Sequence, residues 1–377
     1  MAKSEGELER AREACANQVW AQAFDGLSNL DRSESLGPAD LELLSEAAYM
    51  LGREAEYLAT LERAHRAHRE AGEPMAALRC AFWIGINLAR RGEVGQASGW
   101  LGRARRLLDG EDEDCVERGY LILPRVFEQE AGGELEAAAA TAAEVASIGE
   151  RFGDQDLFAL AAHEQGHILI KVGRIKEGLG LLDESMVAVT AGELSPIVSG
   201  IVYCGAILAC RDAHAVRRAT EWTAALSAWC SRQPDLVAFT GRCLLHRAEL
   251  MQSRGAWSEA LQEARRASKR CEEGENPGAA GDAEYRRGEI ERLRGGFEAA
   301  EQAYREASRR GREPQPGLAL LRLEQGDRDG ASAAIARALS EATEIGERVS
   351  LLPAQVEISL AIGDLEAAVA ASRELET

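Results

Sequence analysis

Apolar runs are short throughout this sequence, and none approaches the roughly 20 residues that a bilayer-spanning helix needs. The opening Met1-Ala-Lys-Ser-Glu-Gly-Glu has no apolar core of a signal peptide. Aromatic residues are only 5 % of the chain, and its eight cysteines (15, 80, 115, 204, 210, 230, 243 and 271) are scattered with no C-x-x-C pair. In apolar helical stretches a reduced cysteine behaves as a small hydrophobe, so a reducing, cytoplasmic setting is expected. A basic excess is missing too. The 44 Lys and Arg stand against 63 Asp and Glu, for a net charge of −19, which disfavours a nucleic-acid surface. Basic runs such as Arg103-Ala-Arg-Arg106 read as solvated helix faces. Neither a G-x-x-x-x-G-K-[ST] phosphate loop nor a G-x-S-x-G nucleophile elbow occurs.

Ala, Leu, Glu and Arg dominate, a composition that favours helix nearly everywhere. The stretch Arg254-Gly-Ala-Trp-Ser-Glu-Ala-Leu-Gln-Glu-Ala-Arg-Arg-Ala-Ser268 is the repeated unit. Gly255 makes a tight turn; Trp257, Ala260, Leu261, Ala264 and Ala267 then share one helical face. Equivalent turn glycines stand at 52, 92, 133, 173, 255, 295, 326 and 363, and His214 fills the turn between 173 and 255. The intervals are 40, 41, 40, 41, 41, 40, 31 and 37 residues, a periodicity that means a solenoid. Prolines 38, 74, 196, 234 and 277 are expected to open first helices, where a missing N–H costs nothing. Glycines 72, 110, 153, 192, 274 and 311 are expected to supply the turns between units. Residues 1–37 read as an N-terminal helix, Leu8 to about Phe24, with a connector; 38–377 read as the repeats. The whole is expected to be one continuous domain of at least eight helix pairs with no sheet.

The Gly-x-Trp/Phe-x-x-Ala pattern resembles tetratricopeptide repeats. Longer stretches resemble the helical-repeat region of LuxR-type transcriptional regulators: Arg79-Cys-Ala-Phe-Trp-Ile-Gly85, Gly99-Trp-Leu-Gly-Arg-Ala-Arg105, Met186 to Val198, Glu221-Trp-Thr-Ala-Ala-Leu226 and Gln315-Pro-Gly-Leu-Ala-Leu-Leu321. The resemblance implies an all-α fold, a right-handed tetratricopeptide-like α-solenoid of about 40-residue helix-turn-helix repeats. It also implies a regulatory setting, with this chain as the ligand- or partner-binding sensor. In that family the repeats lead into a helix-turn-helix module. Here the sequence reaches Thr377 within a repeat-like helix, so no direct nucleic-acid binding by this chain is expected.

Candidate chemistry is sparse. His163-Glu-Gln-Gly-His167 matches H-E-x-x-H, whose histidines share a helix face and can hold zinc, with Glu164 as general base. A metal-dependent enzyme using this motif is the alternative reading. Against it, His163 falls in an apolar column ten residues before each turn, with Phe82, Leu123, Cys204, Leu245 and Tyr285. Packing is therefore expected there, with no catalytic residue, no metal and no cofactor. Columns nine and six residues before the turn contain Trp83, Glu164, His246 and Arg286, then Phe127, His167 and Glu249. First helices line the concave face of such arrays. Trp83, Phe127, His163, Glu164, His167, Tyr203, His246, Glu249 and Arg286 are accordingly the candidate ligand-binding residues, for a small molecule or peptide. Salt bridging of Arg286 to Glu249 or Glu289 is the plainer alternative at those positions. The uncharged stretch Ser195–Cys210 reads as a buried helix or a pocket floor with Tyr203 presenting its hydroxyl, and Gly200 and Gly205 allow a close neighbour. The last unit ends with Leu360, Ile362, Leu365, Ala368 and Val369 at helical spacing, an apolar face expected to meet a protein partner or a second copy.

Overall fold

A computed structural model describes residues 2–33, 35–108, 114–233, 235–274, 277–342 and 345–376. The chain is 83 % helical, and the described residues form 20 helices and no strand. They fall into two compact units, residues 1–239 and 240–377. Unit 1 consists of α1 (Ala2–Ala16), α2 (Trp20–Ser33), α3 (Pro38–Met50), α4 (Glu54–Glu70), α5 (Pro74–Arg90), α6 (Val94–Leu108), α7 (Glu117–Ala131), α8 (Leu135–Phe152), α9 (Gln155–Lys171), α10 (Ile175–Ala191), α11 (Pro196–Asp212) and α12 (Val216–Ser231). Unit 2 consists of α13 (Thr240–Ser253), α14 (Trp257–Glu273), α15 (Pro277–Leu293), α16 (Phe297–Arg309), α17 (Gly317–Glu324), α18 (Arg328–Glu341), α19 (Ile345–Ile362) and α20 (Leu365–Glu376). The fold class is all-α, a tetratricopeptide-like solenoid of helix hairpins. No helix among the described residues is long and apolar enough to cross a membrane.

The hairpin turns share one backbone device. All eight periodic glycines have φ between 72° and 86°, a left-handed conformation that costs a residue with a Cβ about 1–2 kcal/mol. At Gly173 the N–H donates to the Ile170 carbonyl at 3.0 Å, and Arg174 N–H donates to Leu169 at 2.8 Å. His214 makes the same turn with φ 56°, its N–H donating to Arg211 at 2.9 Å and that of Ala215 to Cys210 at 2.7 Å. The period thus continues through a residue that is not glycine. Between units, glycines 72, 153, 192 and 311 are left-handed as expected, but Gly274 has φ −92°; Gly110 lies outside the described residues.

Two expectations fail at turns without glycine. The helix read from Leu8 to Phe24 is broken at residues 17–19, where Gln18 adopts φ 58° and Val19 N–H donates to the Ala14 carbonyl at 2.9 Å. Residues before α3 therefore supply a complete hairpin, α1 and α2, in place of one helix. Pro234 lies outside the described residues, and α13 begins only at Thr240.

The residues that delay α13 close unit 1. Trp20 of α2, with no exposure, donates its indole N–H to Gln233 Oε1 at 2.7 Å, while Gln233 is itself 3 % exposed. The N–H groups of Val237 and Ala238 both donate to the Met50 carbonyl at the end of α3, at 2.9 and 3.1 Å. Phe239 then packs 5.9 Å from Tyr49 of α3 and against Gly200 of α11, where a Cβ would lie 2.3 Å from the ring. The first helices of the hairpins are thereby drawn around a common interior. In unit 2, α19 and α20 leave Leu360, Leu365 and Val369 exposed.

Gln233→Leu should destabilise the protein by about 1–3 kcal/mol, because a buried indole N–H loses its acceptor. Urea unfolding of Gln233→Leu, Trp20→Phe and the double variant checks this. The double variant should lose less than the sum of the two singles; strictly additive losses would show that the closing bond contributes nothing.

Candidate functional site

The first helices of unit 1 enclose a cleft of about 550 Å³. Its wall is acidic. Glu42 and Glu46 come from α3, Asp154 caps α9, and Asp156 lies in the first turn of α9. Tyr57 of α4, Trp83 of α5 and Tyr120 of α7 supply aromatic surface. Among the described residues Arg79 is the one basic side chain in the lining, and its guanidinium donates to the buried carboxylate of Glu117 at 2.7 Å. The four cleft carboxylates therefore outnumber the available positive charge.

Local capping places two of them. Asp154 accepts the Leu157 N–H at 2.9 Å, a normal N-cap bond, and also the Tyr120 hydroxyl at 3.2 Å. Asp156 accepts the backbone N–H of Ser195 at 2.8 Å, at the start of α11. The same carboxylates that join successive hairpins thus converge on the cleft. Burial raises the Asp156 pKa despite the Ser195 bond. Burial, with Asp156 and Glu42 nearby, pushes Glu46 up to about 7.

Of the nine residues read from the repeat columns, only Trp83 lines this cleft. Phe127 is 37 % exposed on α7, away from the cleft lining. His163 is buried at 3 % exposure, and its ring occupies the place a Cβ at Gly205 would need, 2.7 Å away. It pairs with the adjacent Glu164, Nε2 to Oε1, at 3.3 Å. Burial alone would lower the His163 pKa and raise that of Glu164; their mutual attraction outweighs it and reverses both directions. Glu164 is thus held as an ion-pair partner. His167 has its pKa lowered by burial and by Lys171. Within this motif Gly166 serves packing too, since a Cβ there would meet the Gly178 carbonyl of α10 at 2.8 Å. Tyr203 is 2 % exposed and stacks at a tilt on Trp229, 5.8 Å between centroids, outside the cleft lining.

In unit 2, His246, Glu249 and Arg286 do come together. Arg286 donates to Glu249 at 2.9 Å and to Gln252 at 3.1 Å, and His246 Nδ1 lies 3.7 Å from Glu249. This is the inter-repeat salt bridge anticipated as the plainer alternative. The cleft carboxylates of α3 were missed although a signal existed. Counting back from Gly52, Glu42 and Glu46 occupy the same columns, ten and six residues before the turn, as His163 and His167 do before Gly173. Asp154 and Asp156 carry no such signal, because they belong to a cap and a first turn.

No family model matches the chain, and no curated protein matches it in sequence. Its fold is similar to solved structures. Rap protein complexed with competence and sporulation factor superposes with TM-score 0.57 at 13 % identity, over 100 % of this chain and 97 % of that one. The apo form of RapI gives 0.54 at 10 % identity, over 99 % and 96 %. NprR in complex with its cognate peptide NprX gives 0.53 at 14 % identity, over 78 % and 86 %. At identities this low the superpositions show a shared helical-repeat fold and nothing further.

The raised Glu46 pKa has a definite sign for stability. An acid that holds its proton more tightly in the folded state favours folding most at low pH, and that contribution falls as pH rises from 4.5 toward 7. Glu46→Gln should remove this dependence, leaving stability below pH 4.5 nearly unchanged and raising it above pH 7 by up to about 3 kcal/mol. Urea titrations at both extremes read the difference. A variant no more stable than the parent above pH 7 would contradict the assigned burial cost.

Proposed function

We propose that this chain is a partner-binding helical-repeat protein whose unit 1 cleft takes a short peptide bearing a basic side chain. The observation that carries the reading is the cleft's charge imbalance: Glu42, Glu46, Asp154 and Asp156 line a space where, among the described residues, the one arginine is engaged by Glu117. A guanidinium or ammonium group placed among them offsets the burial cost, and with it the repulsion from Asp156 and Glu42, that raise Glu46. Trp83, half-buried beside the buried rings of Tyr57 and Tyr120, offers a face to the same cation and its aliphatic stem. Similarity of fold to Rap protein complexed with competence and sporulation factor, and to NprR complexed with its cognate peptide, supports a peptide over a smaller ligand.

In this reading the chain is the sensor of a regulatory system, as its resemblance to LuxR-type regulators implies. The exposed row Leu360, Leu365 and Val369 then offers a separate surface to a protein partner or a second copy. A reaction centred on His163, Glu164 and His167 is the weaker reading, since His163 is packed against Gly205.

The test uses two labelled pools of short peptides, identical except for a central Arg or a central Glu, with binding read by fluorescence anisotropy. The Arg pool should bind and weaken with added salt. It should also weaken at least tenfold, about 1.4 kcal/mol, in the Glu46→Gln/Asp156→Asn double variant and in Trp83→Ala. Equal binding of both pools, or unchanged affinity in both variants, would overturn the assignment.

A further inference from the structure

One corner of unit 1 gathers a nitrogen, a sulfur and an oxygen donor from three successive helices. Glu42 of α3, His68 in the last turn of α4 and Cys80 of α5 each present a ligand atom, and these atoms all lie within 4.8 Å of one another. His68 Nε2 is 3.0 Å from Glu42 Oε1, and Cys80 Sγ is 3.4 Å from the same oxygen. Tetrahedral zinc, with bonds of about 2.0–2.1 Å to nitrogen, 2.0–2.2 Å to oxygen and 2.3 Å to sulfur, sets ligand atoms roughly 3.3–3.6 Å apart. The two edges to Glu42 Oε1 are within a few tenths of an ångström of those values, and the third, between His68 and Cys80, is no longer than 4.8 Å, so an ion draws these atoms together by side-chain adjustment.

The surroundings fit as well as the distances. On its far side, His68 Nδ1 is hydrogen-bonded to Glu73 Oε2 at 2.6 Å, in the turn between α4 and α5. A carboxylate on the outer nitrogen fixes the ring and directs the other nitrogen inward, as in metal-bound histidines generally. A neutral imidazole has one N–H to give. In the tautomer that donates Nδ1–H to Glu73, Nε2 carries the lone pair a cation takes up; with no ion, an imidazolium donating to both carboxylates makes the same contacts. His68 and Cys80 are 4 % and 2 % exposed, whereas the Glu42 side chain is 41 % exposed and lines the cleft with Cys80. The ligands are thus fixed on the buried side, with access from the cleft.

We propose that Glu42, His68 and Cys80 bind one divalent cation of zinc-like chemistry, with Glu73 as the positioning residue and a fourth coordination position open to the cleft. Imidazole, thiolate and carboxylate together select a borderline-soft ion over magnesium or calcium. The three ligands are 26 and 12 residues apart in sequence, so no spacing motif announces them. The inference shares Glu42 with the peptide reading but stands on His68 and Cys80, which that reading does not use, and its readout is a metal spectrum independent of peptide binding.

Cobalt serves as the spectroscopic probe. Chelator-treated full-length protein titrated with Co²⁺ should take up one ion per chain with a thiolate-to-cobalt charge-transfer band, and Zn²⁺ should displace it. Cys80→Ser, close in size, should lose the band, and His68→Gln should lose tight binding. Glu73→Gln should keep the band but weaken affinity roughly 10- to 100-fold. His163→Ala should leave stoichiometry and spectrum unchanged, which separates this site from the H-E-x-x-H motif. Far-UV circular dichroism confirms that each variant remains helical. The proposal is overturned by the absence of a thiolate band at stoichiometric cobalt, by a band that survives Cys80→Ser, or by one that His163→Ala removes.

Discussion

The amphipathic helices of this protein leave apolar stripes that a neighbouring helix covers. In unit 2, Ala260, Leu261 and Ala264 of α14 are buried by Ala248 of α13 and Ile290 of α15, and Ala267 meets Leu245 and Ala283. Small side chains set the spacing. The backbones of α9 and α10 approach so closely that a Cβ at Gly178 would lie 2.4 Å from the Gly166 carbonyl. Here the neighbours are antiparallel and joined by a short turn, which the left-handed residue makes possible. Helix propensity sets little of this stability by itself, since isolated helices of these lengths are marginal in water.

Stacking hairpins this way also decides the electrostatics. Where a carboxylate caps or braces a first helix of unit 1, as at α9 and α11, it lies in the cleft lining. Asp154 and Asp156 brace α9 and α11, and the return of residues 236–239 to α3 and α11 joins the two ends of the same unit. Glu46 then finds itself among carboxylates with few counter-charges. A protein of net charge −19 spreads most of its acid over solvated helix faces, where repulsion is screened. Inside the cleft that screening is reduced, and the resulting strain is relieved by a proton, a bound cation, or a basic side chain of a partner. The peptide and metal proposals are two answers to this condition at different points of one wall.

The H-E-x-x-H motif shows why local spacing misleads here. Its i, i+4 geometry is correct, since both histidines lie on α9. Yet in an array of hairpins each helix face is already committed to a neighbour. The His163 face meets Gly205 of α11, and Gly166 between the histidines meets α10. Donor atoms that do converge come from three different helices, Glu42, His68 and Cys80.

What the amino-acid order determines by itself is whatever repeats or acts within a few residues. The 40-residue period, the hairpin turns including His214, the proline starts at 38, 74, 196 and 277, and the packing role of the His163 column all follow from helical spacing and backbone preference. Turns made by Gln18, without glycine, and the late start of α13 were not legible, because nothing local forbids a helix at either place. Only the tertiary structure decided that unit 1 closes through Trp20 and Gln233, 213 residues apart. It also decided that Glu46 and Asp156, from different hairpins, line one cleft, and that Glu42, His68 and Cys80 share a corner. The reason is physical: helical periodicity specifies which face of a helix is buried, but which side chains meet across the interior depends on the curvature accumulated over many hairpins.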